Sequence, residues 1–182
     1  LQKKYQLKKM NNTDNYILDI GSGYGETSIY FALNNKKCKI ISCDKYINGN
    51  FNLLKNIDKL KLQNSYIFTG NAMELLDYHQ KNKYFSKVVI FFPDPWPKKK
   101  HHKRRLISHY TIELFRQILR KNGFIHFASD HIDYSLKTKY IFENTLNKKL
   151  IFSNFRQKRP ITKYELKAID KKRFIFDLLI EF

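Results

Sequence analysis

Two cysteines, one tryptophan, six glycines and four prolines are spread over 182 residues, and acidic side chains number 16 against 35 Lys and Arg. Each scarcity closes off a class of protein. Cys38 and Cys43 stand an odd number of places apart in a run that reads as one strand, so they leave on opposite faces, roughly 16 Å from each other, and do not bridge. With no CxxC pair, a disulfide scaffold is excluded and a reducing, cytoplasmic setting is expected. No run of about 18 apolar residues exists, so no membrane-spanning helix and no membrane partner is expected. Leu1 to Asn12 is polar and lysine-rich with no apolar centre, which argues against a secretory signal.

What is abundant is positive charge. The formal net charge is +19, enough to draw polyanions by field alone, and nucleic acid is the expected partner. Compositional drift toward lysine accounts for part of the excess, but not for the block between Lys98 and Arg105. The length suits one domain able to bury roughly 70% of its unfolded surface. Residues 1–15 are expected to form a flexible basic segment and residues 16–182 a single domain. A monomer and a homodimer both remain open.

Short apolar runs alternate with helical patterns, the mark of βα units around a mainly parallel sheet. Strands are expected at Tyr16–Ile20, Cys38–Asp44, Tyr66–Gly70, Lys87–Phe92 and Phe124–Ala128. Helices are expected at Glu26–Asn34, Phe51–Leu62, Met73–Gln80, Ile107–Lys121 and over 131–147. Leu150–Phe155 and Phe174–Phe182 read as two final strands joined by a polar segment around Pro160. The fourth strand is apolar on both faces, as a covered central strand should be.

The first strand runs into Gly21-x-Gly23-x-Gly25 and then a helix, the geometry of a nucleotide site. Glu26 stands where a dinucleotide fingerprint would place its third glycine, which argues against NAD. Asp44 closes the second strand, where an acid accepts hydrogen bonds from the ribose hydroxyls of an adenosine. Asp19 adds a second carboxylate beside the turn. Two acids repel an anionic ligand and favour a cationic one such as S-adenosylmethionine. Asn71 can offer its amide to adenine or cap the next helix; Asp19 can equally satisfy loop amides.

Three of the four prolines fall in Pro93-Asp94-Pro95-Trp96-Pro97, directly after the fourth strand. Ligands of open α/β sheets sit beyond the carboxyl ends of strands, so Asp94 is expected to face the crevice of the glycine turn. Trp96 can stack on a base or pack beneath its loop. Lys98, Lys99, Lys100, His101, His102, Lys103, Arg104 and Arg105 then follow without a break, and such a block binds phosphates through counterion release. The adjacent histidines have no cysteine or carboxylate at ligand spacing, so no metal is expected.

Asp19-Ile20-Gly21-x-Gly23-x-Gly25, Pro93 to Lys98, His101 to Arg105 and Arg159-Pro160-x-Thr162-Lys163-Tyr164-Glu165 together closely resemble the bacterial tRNA (guanine-N7-)-methyltransferase family, over nearly all of residues 16–182. The resemblance implies a Rossmann-like class I methyltransferase fold: a mostly parallel seven-stranded sheet with a terminal antiparallel strand and helices on both faces. It implies methyl transfer from S-adenosylmethionine to N7 of a guanine in tRNA, at position 46 of the variable loop. Asp19, Gly21, Gly23, Gly25, Asp44, Asn71 and Asp94 would hold the cofactor, with Asp94 also the catalytic acid. Lys98, Asp130, Thr162, Lys163, Tyr164 and Glu165 would bind the guanosine, and Lys99 to Arg105 the RNA phosphates. The chain departs from the family pattern at Asp19 and Asp44, where Glu is frequent, and at Asn71, where Asp is common. An exocyclic-amine RNA methyltransferase and a non-catalytic tRNA-binding module are the rival readings.

Overall fold

The computed structural model describes residues 10–11, 13–153 and 156–182. In chain order the elements are β1 (Asn15–Ile20), α1 (Glu26–Asn34), β2 (Cys38–Asp44), α2 (Ile47–Lys59), β3 (Ser65–Thr69), α3 (Ala72–His79) and β4 (Phe85–Phe91). A 3-10 helix (Lys99–Arg104) follows, then α4 (His109–Ile118), β5 (Leu119–Ser129), α5 (Ile132–Leu146), α6 (Lys163–Asp170) and β6 (Phe176–Glu181).

The strands form one sheet in the order β3-β2-β1-β4-β5-β6, parallel except for β6, which runs antiparallel to β5. Side chains alternate across it, and the two faces build separate cores. Leu18, Val88, Ile90, Phe127 and Leu178 pack with Leu76, Phe115 and Phe142 of α3, α4 and α5. Ile17, Ile40 and Val89 pack with Phe31 of α1 and Leu53 of α2 on the other face. Cys43 belongs to the first cluster and Cys38 borders the second, so the cysteines do lie on opposite faces, both free.

Six strands, not seven, are found among the described residues. Leu150 to Ser153 carry no strand: Ser153 N–H donates once to the Asp177 carbonyl (2.9 Å) and Phe152 stacks edge-on against Phe176 at 5.2 Å. Residues 154 and 155, which complete the expected strand, lie outside the described residues. α4 ends at Ile118 rather than Lys121, because Leu119 already pairs with Phe85 of β4; Asn122, at φ 62°, and Gly123 then turn the chain into the rest of β5. α6 is an addition in the segment read as a polar connection. Thr162 caps it, accepting from Glu165 N–H at 3.2 Å, and the spacing Thr162-x-x-Glu165 is the sequence signal that announces such a start. At the other end, Met10 is buried in the first core and Asn15 opens β1, ahead of the expected boundary at residue 16. No helix among the described residues is long and apolar enough to cross a membrane.

The strand order reverses between β1 and β4. Diverging loops leave a crevice at the carboxyl ends of these two neighbours, and there the sheet places its site.

Candidate active site

A cavity of about 910 Å³ opens at that reversal. Ile20, Phe91 and Leu106 give it apolar walls, and Asp44, Asn71 and Asp94 give it polar ones. The glycine turn holds Gly21, Gly23 and Gly25 at φ values of 76°, 55° and 89°, a region costly for residues bearing a Cβ. Gly21 borders the cavity, and a Cβ built on it meets no atom within 4 Å. A ligand therefore has free approach to that backbone. Gly49, in the first turn of α2, was not among the expected site residues; a Cβ there would fall 2.1 Å from the Gly23 carbonyl oxygen. α2 thus enters directly against the turn.

Asp44 is held by its backbone neighbours. Oδ2 accepts from Gly23 N–H at 2.8 Å and Oδ1 from Tyr46 N–H at 2.9 Å. A carboxylate offers about four acceptor positions, so two remain for a ligand diol. Asn71 caps α3, its Oδ1 accepting from Met73 N–H (3.0 Å), and it also lines the cavity.

Asp94 is exposed on the cavity wall within a stiff loop. Phe92 and Trp96 flank it with φ of 50° and 44°, a conformation few non-glycine residues adopt and one that surrounding contacts must hold in place. Two of those contacts are Phe92 N–H to the Ala128 carbonyl (2.7 Å) and Arg105 Nε–H to the Pro95 carbonyl (2.8 Å). Trp96 faces the cavity and carries the Arg104 guanidinium 4.8 Å from its ring centroid, with His101 edge-on at 5.8 Å.

Several expected ligands lie elsewhere. Asp19 is buried beneath the turn and does not line the cavity. Its Oδ2 accepts from Ser28 Oγ at 2.6 Å, and Ser28 accepts from Ser42 Oγ at 2.6 Å. Burial pushes its carboxyl pKa up to about 7, against the Ser28 hydrogen bond and with help from the charges of Asp44 and Glu26. Asp130 is paired with Arg173 at 2.7 Å, and Lys98 is exposed outside the cavity lining.

Of the Thr162 to Glu165 group, only Tyr164 reaches the cavity. Thr162 is occupied by its helix cap. Lys163 donates its backbone N–H to Glu26 Oε1 (3.4 Å) and rests its ammonium 3.0 Å from the Tyr24 ring centroid. Tyr24 and Tyr46 meet through their hydroxyls at 3.0 Å, so the start of α6 is fastened to the glycine turn. Glu165, only 1% exposed, binds Arg156 Nε (2.8 Å) and Arg159 Nη1. Arg159 also bonds Asp177 (Nη2 to Oδ2, 2.9 Å), which pairs with His126 Nε2 at 2.7 Å. Burial alone would raise the Asp177 carboxyl; the hydrogen bonds from His126 and Arg159 outweigh it and hold the group below its usual range. The Arg159 guanidinium lies over Phe91 and Phe92, 5.5 and 5.7 Å from their centroids, so this buried chain of charges braces the cavity wall.

The basic block divides. Lys99, Lys100, Lys103 and Arg104 are exposed, and His101 and His102 are half-buried. Arg105 is set apart from the exposed cations: it is buried, with Nε on the Pro95 carbonyl and Nη2 on Asp133.

Residues 13–178 match a protein family described as "Putative methyltransferase". The tRNA (guanine-N(7)-)-methyltransferase of Francisella tularensis subsp. novicida (strain U112) is 31% identical over 173 residues, covering 93% of this chain and 76% of the relative. The protein of the same name from Alkalilimnicola ehrlichii is 34% identical over 168 residues, covering 89% and 70%. Among solved structures, an antibiotic-related methyltransferase superposes with a TM-score of 0.68 at 16% identity, covering 97% of this chain and 90% of that one. The precorrin-6y C5,15-methyltransferase of Geobacter metallireducens GS-15 gives 0.61 at 16%, covering 97% and 86%. At such identities the two structures speak for the fold alone.

Proposed function

The chain belongs to the tRNA (guanine-N7-)-methyltransferase family, and we propose that its cavity at the β1/β4 reversal is where a variable-loop guanine of tRNA, at position 46, receives its methyl group, with Asp94 as the catalytic residue. It is an enzyme that methylates guanine N7 in tRNA with S-adenosylmethionine as donor. The observation that carries the siting is that Gly21, Asp44, Asn71, Asp94, Trp96 and Tyr164 all border one cavity.

The residues present suit the donor. Open space beside the Gly21 backbone accepts a close approach, Asp44 retains acceptor positions for a ribose diol, and Asn71 can meet an adenine edge. Carboxylates at Asp44 and Asp94 favour a cation. Bound there, S-adenosylmethionine supplies an electrophilic methyl group.

Guanine N7 carries an in-plane lone pair, so the protein needs no base to expose it. The task of the chain is to hold the purine. Trp96 and Tyr164 offer faces for stacking, and the stiff loop sets Asp94 where it accepts hydrogen bonds from guanine N1–H and N2–H, a pattern adenine lacks. As N7 is alkylated the ring gains positive charge, and a carboxylate already fixed nearby stabilises that state more than the ground state. Orientation of the acceptor contributes the rest, up to about 7–11 kcal/mol in well-aligned systems. Lys99, Lys100, Lys103 and Arg104 hold the RNA backbone. Asp19 and Glu165 serve as supports beneath the site.

The test is transfer of tritiated methyl to unmodified tRNA, followed by borohydride reduction and aniline scission, which cuts at 7-methylguanosine. Label with a single cut in the variable loop is expected. Label without scission would indicate an exocyclic-amine product, and tRNA binding without label a non-catalytic module.

A further inference from the structure

The 3-10 helix accounts for one bank of the cavity, through Arg104 and the neighbouring Trp96. The other bank is α6, which contributes Tyr164. Lys163 and Lys167 stand at i and i+4 of α6 and Lys171 is the residue that ends it; on a helix advancing 100° per residue, Tyr164 and one acid, Asp170, fall on the same arc. Contacts agree with the arc: the ammonium groups of Lys163 and Lys167 stand 5.3 and 6.0 Å from the Tyr164 ring centroid. Glu165 and Ala168 are the buried residues of the helix. The stripe therefore starts beside Tyr164, the residue of α6 that lines the cavity, and runs away from it.

Its charges also lack acidic partners. Lys39, Lys139, Arg116 and Arg173 each have one within ion-pair distance, whereas none of Lys163, Lys167 and Lys171 does among the described residues. Successive lysines of the stripe are about 6 Å apart along the axis, the order of separation between neighbouring phosphates of one strand. Lys163 rests on the Tyr24 ring, while Lys167 and Lys171 are exposed without an ion-pair partner, as most lysines of the chain are; what sets this row apart is its spacing beside an aromatic ring that lines the cavity, an arrangement that suits a nucleic-acid backbone.

We propose that the α6 stripe Lys163–Lys167–Lys171 is a second phosphate-binding arm, so that the tRNA backbone is gripped on both sides of the target guanine, by the 3-10 helix on one bank and by α6 on the other. This rests on the reading of the cavity as the tRNA site. Two arms around one base explain how a small domain extracts a guanine from a folded loop. Phosphates held on either side fix the strand while the base turns into the cavity.

The experiment measures tRNA affinity against KCl concentration for the wild-type chain, a Lys167→Ala/Lys171→Ala variant and a Lys36→Ala/Lys37→Ala control. The control removes the same charge from the exposed turn before β2, at the end of the sheet remote from the cavity. For two lost phosphate contacts the slope of log K against log[salt] should shrink by roughly 1.4 to 1.8 in the α6 variant. The control should keep the wild-type slope. Equal slopes in all three overturn the proposal, and so does an equal loss in variant and control, which would mean field attraction without a defined arm. Because binding is read without methyl transfer, failure here is distinguishable from failure of the catalytic reading, which the scission assay reports on the unmodified chain.

Discussion

Arg105 Nη2 lies 2.5 Å from Asp133 Oδ2, and the same guanidinium donates through Nε to the carbonyl of Pro95, the residue after Asp94. It also sits over the Tyr134 ring at 4.8 Å. One buried cation thereby ties the Asp94 loop to the first turn of α5. Asp133, whose carboxyl Arg105 holds below its ordinary range, is the outer end of the tie. Arg105→Gln should lower kcat, by up to about 100-fold since a loop shift of an ångström suffices. The salt slope of tRNA binding should stay at the wild-type value. Lys103→Ala should do the reverse, shrinking the slope by roughly 0.7 to 0.9 and chiefly raising KM for tRNA. Steady-state kinetics and a salt titration on both variants separate the roles.

Asp94→Ala should reduce turnover by about 100-fold or more while tRNA affinity is largely retained, as expected for a group acting on charge that develops only during reaction. Single-turnover transfer and a filter-binding titration read the two quantities separately. Unchanged methylation would remove Asp94 from its assigned role.

The two glycines that shape the cradle should respond differently. Gly21→Ala meets no neighbour, so its stability cost is the left-handed backbone, about 1–2 kcal/mol, but its methyl occupies the cavity side and should weaken S-adenosylmethionine binding. Gly49→Ala would gain about 1 kcal/mol from helix propensity alone. The clash with the Gly23 carbonyl overrides that gain, so this variant should lose both melting temperature and donor affinity. Thermal melts paired with calorimetric titration decide.

Asp19 makes stability pH-dependent. The unfolded side chain releases its proton near 3.8 and the folded one near 7, so between these values the native state holds more protons and stability falls as pH rises. Above about 7 the loss is complete and constant. Asp19→Asn, which cannot ionise, should therefore gain on the wild type by more at pH 8 than at pH 5, the difference growing by at most about 1.4 kcal/mol for each pH step of one within that window. Chemical denaturation at the two pH values checks the sign; a gain confined to pH 5 would contradict it.

Glu165→Gln removes a charge that neutralises Arg159 in a buried chain, and breaking such a pair costs about 3 kcal/mol or more. A large drop in melting temperature should accompany any loss of activity. If Glu165 instead touched guanine, activity would fall while stability held.

Much of the fold was legible because parallel strands between helices leave strong apolar runs: β2 and α1 have the expected limits, and the Gly21 turn, Asp44 and Asp94 meet in one cavity. What resisted reading depends on tertiary context. Arg105 stands in an unbroken run of cations, and only the fold turns it inward. Leu119 continues the apolar period of α4, yet pairing with Phe85 converts it to strand. α6 leaves Leu166 and Ile169 exposed and buries Glu165, so its apolar pattern does not mark its inner face, and its one local signal was the Thr162 cap. Glu165 and Asp19 carry the charges expected of ligands, but the fold buries both, Glu165 against Arg156 and Arg159 and Asp19 against Ser28 beneath the turn.

The fastening of Lys163 to the Tyr24 ring gives the Tyr164 side of the cavity and the glycine turn a common wall. Any bias that a ligand on one side of this wall exerts on the other side is equal in both directions. Coupling through this wall would make release of the demethylated donor and of the modified RNA linked events, and an inhibitor shaped for one half would be felt as altered affinity in the other.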